Sequence, residues 1–336
     1  MKPTILDCTL RDGGYNNNWR FGRNKIIEIA RCLSDNGIQI VELGFLEDSF
    51  KYKHCKEDYS FFTSQEDVEK LISDINCPRS DYVVMCRMGK LNLSRLNGRS
   101  LFEDNKLFGV RVAIHEDELL DSIEYCEAIR EKGYKVFFQP VGLTTFSDKG
   151  LEDLITAVSR VEPDYLYIVD TLGQLHPIGV EVYIKFFREM GFDGTIGLHS
   201  HNNCQASFAC AVQMLNRDQS FVIDSSLAGM GRGAGNLNTE LIVQHPSCGY
   251  RLKQQAEIAK LASTIVPSLF MDCENWGFDP ILSFCAIKSI HPDYYLSGLK
   301  NNCKNADLYL KILESIPYES RARYNPEVIS LCIKQN

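Results

Sequence analysis

Thr4-Ile5-Leu6-Asp7-Cys8-Thr9-Leu10-Arg11-Asp12-Gly13 opens the chain with an apolar run that reads as a strand over residues 4–10 and delivers Arg11 and Asp12 at its end. Seven more such runs follow, at 38–45, 82–87, 108–114, 136–141, 165–170, 195–199 and 221–225. Amphipathic helical stretches separate them, among them 23–36, 117–132, 151–162 and 178–190. Gly or Pro announces many of the strands, as in Asn36-Gly37, Gly133 and Glu162-Pro163-Asp164. Eight strand–helix repeats in a row imply a parallel sheet, and eight is the number that closes a barrel. An open doubly wound sheet is the alternative, and it needs no eighth repeat. The expected fold is therefore α/β, a (β/α)8 TIM barrel over residues 1–245.

Residues 246–336 read as all-helical, with the best stretches at 253–266, 280–290 and 305–315. Without a low-complexity linker, this extension is expected to pack on the barrel rather than hang from it. Residues 46–78 are long for one connection plus helix. They begin with the basic, aromatic Phe50-Lys51-Tyr52-Lys53-His54, which suits a lid or a substrate collar at the rim, or simply a solvated face.

The chain has 336 residues, 44% apolar and 24% charged, with a net charge of -8. That acidity argues against nucleic acid or an anionic membrane as partner. No apolar run approaches the roughly 20 residues that span a bilayer. No signal peptide is evident. The 13 cysteines lie singly, without a Cys-x-x-Cys pair. Reduced thiols in a cytoplasmic protein are expected.

In such a barrel, chemistry sits at the C-terminal ends of the strands. Arg11 and Asp12 end strand one, Glu42 lies near the end of strand two, and Asp170-Thr171 ends strand six. His199-Ser200-His201 ends strand seven, and a Gly-rich loop at 229–236 follows strand eight. Strand alternation sends His199 and His201 to one side. A carboxylate and two imidazoles at neighbouring strand ends suit a divalent cation, with positions left for water and substrate. Mn²⁺ is the expected ion, with Mg²⁺, Zn²⁺ or Co²⁺ as alternatives. Arg11 adds a permanent positive charge suited to an enolate oxygen. Glu42 reads best as the group that orients Arg11. Gly231 and Gly233 follow the last strand rather than the first, so a close backbone approach to substrate or metal explains them better than a dinucleotide fingerprint. His115, His176 and His245 read as structural.

Residues 6–13, taken together with His199-Ser200-His201-Asn202-Asn203, resemble the HMG-CoA lyase-like superfamily of metal-dependent barrels. The match covers about residues 3–245, and the loop from Ser226 to Asn236 is most like the 4-hydroxy-2-oxovalerate aldolase branch. The resemblance implies Asp12, His199, His201 and Asn236 as metal ligands and Arg11 as the enolate's partner. It also implies roles for Glu42 and for Asp170 and Thr171, the latter two at the substrate. One position departs. The aldolases carry an acid–base histidine where this chain has Tyr15, so either Tyr15 or a residue of the helical extension, His291 in His291-Pro292-Asp293-Tyr294, is expected to move the proton.

The activity this implies is a metal-dependent carbon–carbon lyase acting through a pyruvate-type enolate on a 2-oxo acid and an aldehyde. A Claisen-type synthase using acyl-CoA and a non-catalytic metal- or ligand-binding barrel are the alternatives. A Schiff-base mechanism is disfavoured, because the metal-site motifs contain no lysine. A homodimer is expected, and aldolases of this family also work with an aldehyde dehydrogenase.

Overall fold

The computed structural model describes residues 2–49, 56–99, 107–215, 220–269, 276–296 and 305–335. Its strands are β1 (Thr4–Asp7), β2 (Ile40–Leu46), β3 (Phe61–Phe62), β4 (Asp81–Arg87), β5 (Leu107–Ile114), β6 (Lys135–Pro140), β7 (Tyr165–Asp170), β8 (Thr195–Ser200) and β9 (Phe221–Ser225). Every pairing is parallel. The order β1-β9-β8-β7-β6-β5-β4-β2 is closed by a β1–β2 ladder, which makes an eight-stranded (β/α)8 barrel. The two-residue β3 lies outside the ring beside the end of β2. The basic, aromatic stretch at 50–54 lies outside the described residues.

These strands are apolar on both faces because each is buried twice, against helices outside and against the lumen inside. All seven residues of β2 are buried. Leu6, Ile40, Val83, Phe137, Tyr167 and Val222 form one cluster. They come from strands around the whole ring, so the lumen is their meeting place. The larger cluster between strands and helices includes Ile258, Leu261, Ile265 and Leu269 of the helix Leu252–Leu269. A separate cluster joins Leu282, Cys285, Tyr294, Leu313, Ile329 and Cys332 to Ala234 of the barrel loop. Among the described residues no helix is long and apolar enough to cross a membrane.

The first strand differs from its reading at 4–10. It stops at Asp7, and Arg11 and Asp12 sit on a helical turn, Thr9–Asp12, instead of ending the strand. The cause is local. Asp7 Oδ1 accepts from Thr9 N at 2.9 Å, and the Cys8 carbonyl accepts from the amides of Arg11 and Asp12. Aspartate bonding its own backbone two residues on is a turn former that periodicity does not register. Trp19 then anchors this turn, because its Nε1 donates to the Arg11 carbonyl at 2.7 Å. Trp19 itself packs edge-on against Phe45 and Phe61. A Cβ on Gly14 would stand 2.1 Å from the Trp19 ring, so this approach requires glycine. Gly14→Ala is expected to cost about 1–3 kcal/mol by overpacking. Chemical denaturation measures that cost, and a loss of metal affinity should accompany it as the Asp12 turn shifts.

Candidate metal centre

The turn after β1 and the end of β8 bring the sequence candidates together. The His199 and His201 rings lie 5.1 Å apart, nearly perpendicular. One ligand-type atom each from Asp12, His199 and His201 lies within 4.8 Å of the other two, and all three residues are buried. Asn236 reaches the same place through a single bridge with His201, and its Nδ2 donates to Asp12 Oδ2 at 2.6 Å. A Cβ on Gly231 would meet Asn236 Nδ2 at 2.2 Å and Asp12 Oδ2 at 2.6 Å. The glycine therefore lets the loop press onto this pair. Gly233, at φ +67°, packs on Asn203 instead.

Burial alone would raise the Asp12 carboxyl. Arg11, the two imidazoles and the Asn236 amide outweigh it and hold the group well below its ordinary range. Burial pushes His201 down to about 4, so its imidazole keeps a lone pair at neutral pH. His201 Nδ1 and Asn236 Oδ1 are buried without a hydrogen-bond partner among the described residues. Orphaned acceptors of this kind cost about 1–3 kcal/mol each. A divalent cation would satisfy both, and a carboxylate, imidazole and amide-oxygen set suits one.

Behind these groups runs a network that the sequence reading missed. His199 Nδ1 lies 3.0 Å from Asp224 Oδ2, so it donates there and leaves Nε2 for a metal. Asp224 also accepts from Tyr167 Oη at 3.0 Å and pairs with Arg111. Arg111 is fully buried over the Tyr167 ring and donates to Glu42 Oε2 at 2.8 Å. The same Glu42 oxygen accepts from Arg11 Nε at 2.9 Å. Arg11 Nη1 pairs with Asp12, and its Nη2 is buried without a partner among the described residues. A charge amid apolar neighbours, as in Val110-Arg111-Val112 and Val222-Ile223-Asp224, was the available signal. Cys8, His199 and Asp224 also lie within mutual reach. Burial keeps the Cys8 thiol protonated and Asp224 is fully engaged, so that trio is a poor cation site.

A cavity of about 810 Å³ stands over the centre, and Arg11, Asp12, Tyr15, Thr171, His199, His201 and His291 all line it. His115 lines it as well, beyond the structural part read for it. Asp293, Arg323 and Tyr324 of the helical extension also line it. Tyr15 stacks beneath Arg232, whose Nε donates to Asp293 Oδ1 at 3.0 Å. Asp170 does not line the cavity. It accepts from the amides of Gln174 and Leu175, both at 3.0 Å, and so shapes the loop after β7. Burial raises its pKa to about 6. Thr171 Oγ1 accepts from Gly142 N at 2.9 Å.

Residues 2–264 match the HMGL-like family model. The chain belongs to the HMGL-like family. An oxaloacetate decarboxylase of Mycobacterium tuberculosis is 25% identical over 246 residues, 72% of this chain and 69% of that protein. A 4-hydroxy-2-oxovalerate aldolase of Pelotomaculum thermopropionicum is 24% identical over 243 residues, 71% of this chain and 68% of that one. Among solved structures, the HMG-CoA lyase of Bacillus subtilis superposes with a TM-score of 0.60 at 16% identity, covering 80% of this chain and 93% of its own. That likeness shows the barrel fold.

Asp224→Asn tests the support behind His199. Metal affinity is expected to fall about 10–100-fold, as is typical when a ligand's hydrogen-bond partner is changed. Titration calorimetry with Mn²⁺ measures it. Unchanged affinity would mean that Asp224 does not orient the ligand.

Proposed function

We propose that this chain is a divalent-metal-dependent carbon–carbon lyase that makes or breaks the bond next to a 2-oxo acid through a pyruvate-type enolate. The observation that carries this reading is the buried Asp12–His199–His201 cluster in one cavity with Arg11, whose Nη2 has no partner among the described residues. The relatives' names support it, since aldol cleavage and oxaloacetate decarboxylation both leave a pyruvate enolate.

Asp12, His199, His201 and Asn236 would hold the ion, for which Mn²⁺ is our choice. When bound, that ion supplies Lewis-acid polarisation of the 2-oxo acid. Arg11, locked by Glu42 and Asp12, presents Nη2–H to the oxygen on which negative charge develops. His291 is our acid–base group. Burial, with Arg232, His201 and His115 nearby, holds its pKa well below 6.5, so it is neutral at pH 7, and because Nδ1 accepts from Asp293 N at 3.3 Å the ring proton sits on Nε2. Tyr15 is less suited, because burial raises its phenol above 10 against the pull of Arg232. We assign Tyr15 to packing the cavity wall. The barrel unit is taken to run through the helix Leu252–Leu269, which shares its core, and the helical cap to follow it.

Room beside the centre favours an aldolase over a decarboxylase, which needs no second substrate. Three expected results follow from these roles. Pyruvate should exchange its methyl protons in D₂O only with metal present, and Asp12→Asn should abolish the exchange, as read by proton NMR. Metal-independent exchange, or none, would sink the reading. His291→Ala should lower kcat/KM about 10²–10⁴-fold, against less than tenfold for Tyr15→Phe. Initial rates decide between them, and the reverse order would return the role to Tyr15. Because the neutral imidazole is the active form, acid loss of activity should begin only below pH 6.5.

A further inference from the structure

The cavity is larger than its simplest substrates need. Pyruvate plus acetaldehyde would fill about a third of it even at the ~30 Å³ per heavy atom of liquid water. The remaining wall has a definite chemistry. Among the described residues lining it, every lysine and arginine is already paired with a carboxylate. Arg87 Nε donates to Glu47 at 2.6 Å, Lys149 meets Asp153 at 2.6 Å, and Arg323 meets Asp117 at 3.1 Å. Arg232 is held by Asp293, and Arg11 by Glu42 and Asp12. Glu116 and Glu319 add further carboxylates to the lining. A phosphate or second carboxylate would meet cations that are already largely neutralised and would face the added acids.

An apolar aldehyde fits no better. Gln139, at the end of β6, is 2% exposed and lines the cavity, and its Nε2 has no hydrogen-bond partner among the described residues. Covering that donor with an alkyl chain would leave a buried N–H unsatisfied. A hydroxyl oxygen satisfies it. Hydroxyls can also bridge the exposed edges of the ion pairs without displacing either member, and Phe146 and Tyr324 add apolar surface to the lining.

We propose that the aldehyde handled by this site is an uncharged polyhydroxylated aldehyde of aldose size, and that Gln139 is a specificity-determining residue that donates to one of its hydroxyls. This rests on the aldolase reading above. In the synthetic direction the base takes a C3 proton from pyruvate, and C3 bonds to the aldehyde carbon. The carbonyl electron pair becomes an alkoxide that receives the proton. Cleavage reverses each step.

The test uses the full chain with Mn²⁺, pyruvate and four aldehydes: acetaldehyde, D-erythrose, D-arabinose and D-arabinose 5-phosphate. Adduct formation is followed by mass spectrometry and initial rates, with pyruvate methyl exchange measured alongside. We expect kcat/KM for at least one free aldose to exceed that for acetaldehyde and for the phosphate about tenfold or more. Gln139→Ala should then reduce the aldose-to-acetaldehyde ratio about tenfold. Gln139→Glu, which keeps the size but loses the donor, should do the same. A preference for acetaldehyde or for the phosphate overturns the proposal, as does an unchanged ratio in both variants. Exchange without any adduct also overturns it, while leaving the enolate chemistry standing. Absence of exchange removes both.

Discussion

Two buried guanidiniums, Arg111 inside the barrel lumen and Arg11 at its rim, organise this molecule. Arg111 is fully buried, and it survives there only because Glu42 and Asp224 grip it while the Tyr167 ring covers one face. Breaking a buried pair of this kind typically costs about 3–5 kcal/mol, because the remaining charge is stranded. Each carboxylate that holds Arg111 also has a second task. Glu42 turns Arg11 toward the cavity, and Asp224 fixes the tautomer of His199. Charge burial and site geometry are thus one constraint.

The electrostatic balance has a chemical meaning. Leaving the imidazoles aside, Asp12, Glu42 and Asp224 face Arg11 and Arg111, one net negative charge in a low-dielectric lumen. A divalent ion would reverse that sign, and an anionic 2-oxo acid would then bring the centre back to neutrality. Above it, Arg232 reaches from the glycine-rich loop to Asp293 of the helical cap and lies over Tyr15. The loop that presses on Asp12 and Asn236 is therefore tied to the element that carries His291. Metal ligands and cap are mechanically joined by this side chain and by Ala234, which packs into the cap's apolar cluster.

How much of this was legible in the sequence follows from the range of each interaction. The strands at 165–170 and 221–225 match β7 and β9, because double burial writes a continuous apolar run. The end of β1 was misread, since Asp7 closes its turn with a side-chain hydrogen bond that hydrophobic periodicity does not register. Asp12, His199 and His201 could be foreseen as neighbours because barrel closure sets strand one near strand seven. Asp170 could not be distinguished from a cavity-lining group, because its acceptance of the Gln174 and Leu175 amides depends on the loop conformation. Arg111, Asp224 and Gln139 were passed over for another reason. A lone polar residue in a strand reads equally well as an outward-facing position, and only the closed ring shows that all three point inward. The helix Leu252–Leu269 was expected to pack on the barrel with the rest of the extension, and it shares the barrel's core, although nothing in its pattern names the surface it covers.

The most direct examination of the central claim is a crystal structure of the protein with Mn²⁺ and oxalate, an analogue of the pyruvate enolate, with manganese located by its anomalous signal. A single ion held by Asp12, His199, His201 and Asn236, with Arg11 Nη2 within hydrogen-bonding distance of an oxalate oxygen, is the result expected. Manganese bound elsewhere, or oxalate bound away from Arg11, would contradict it.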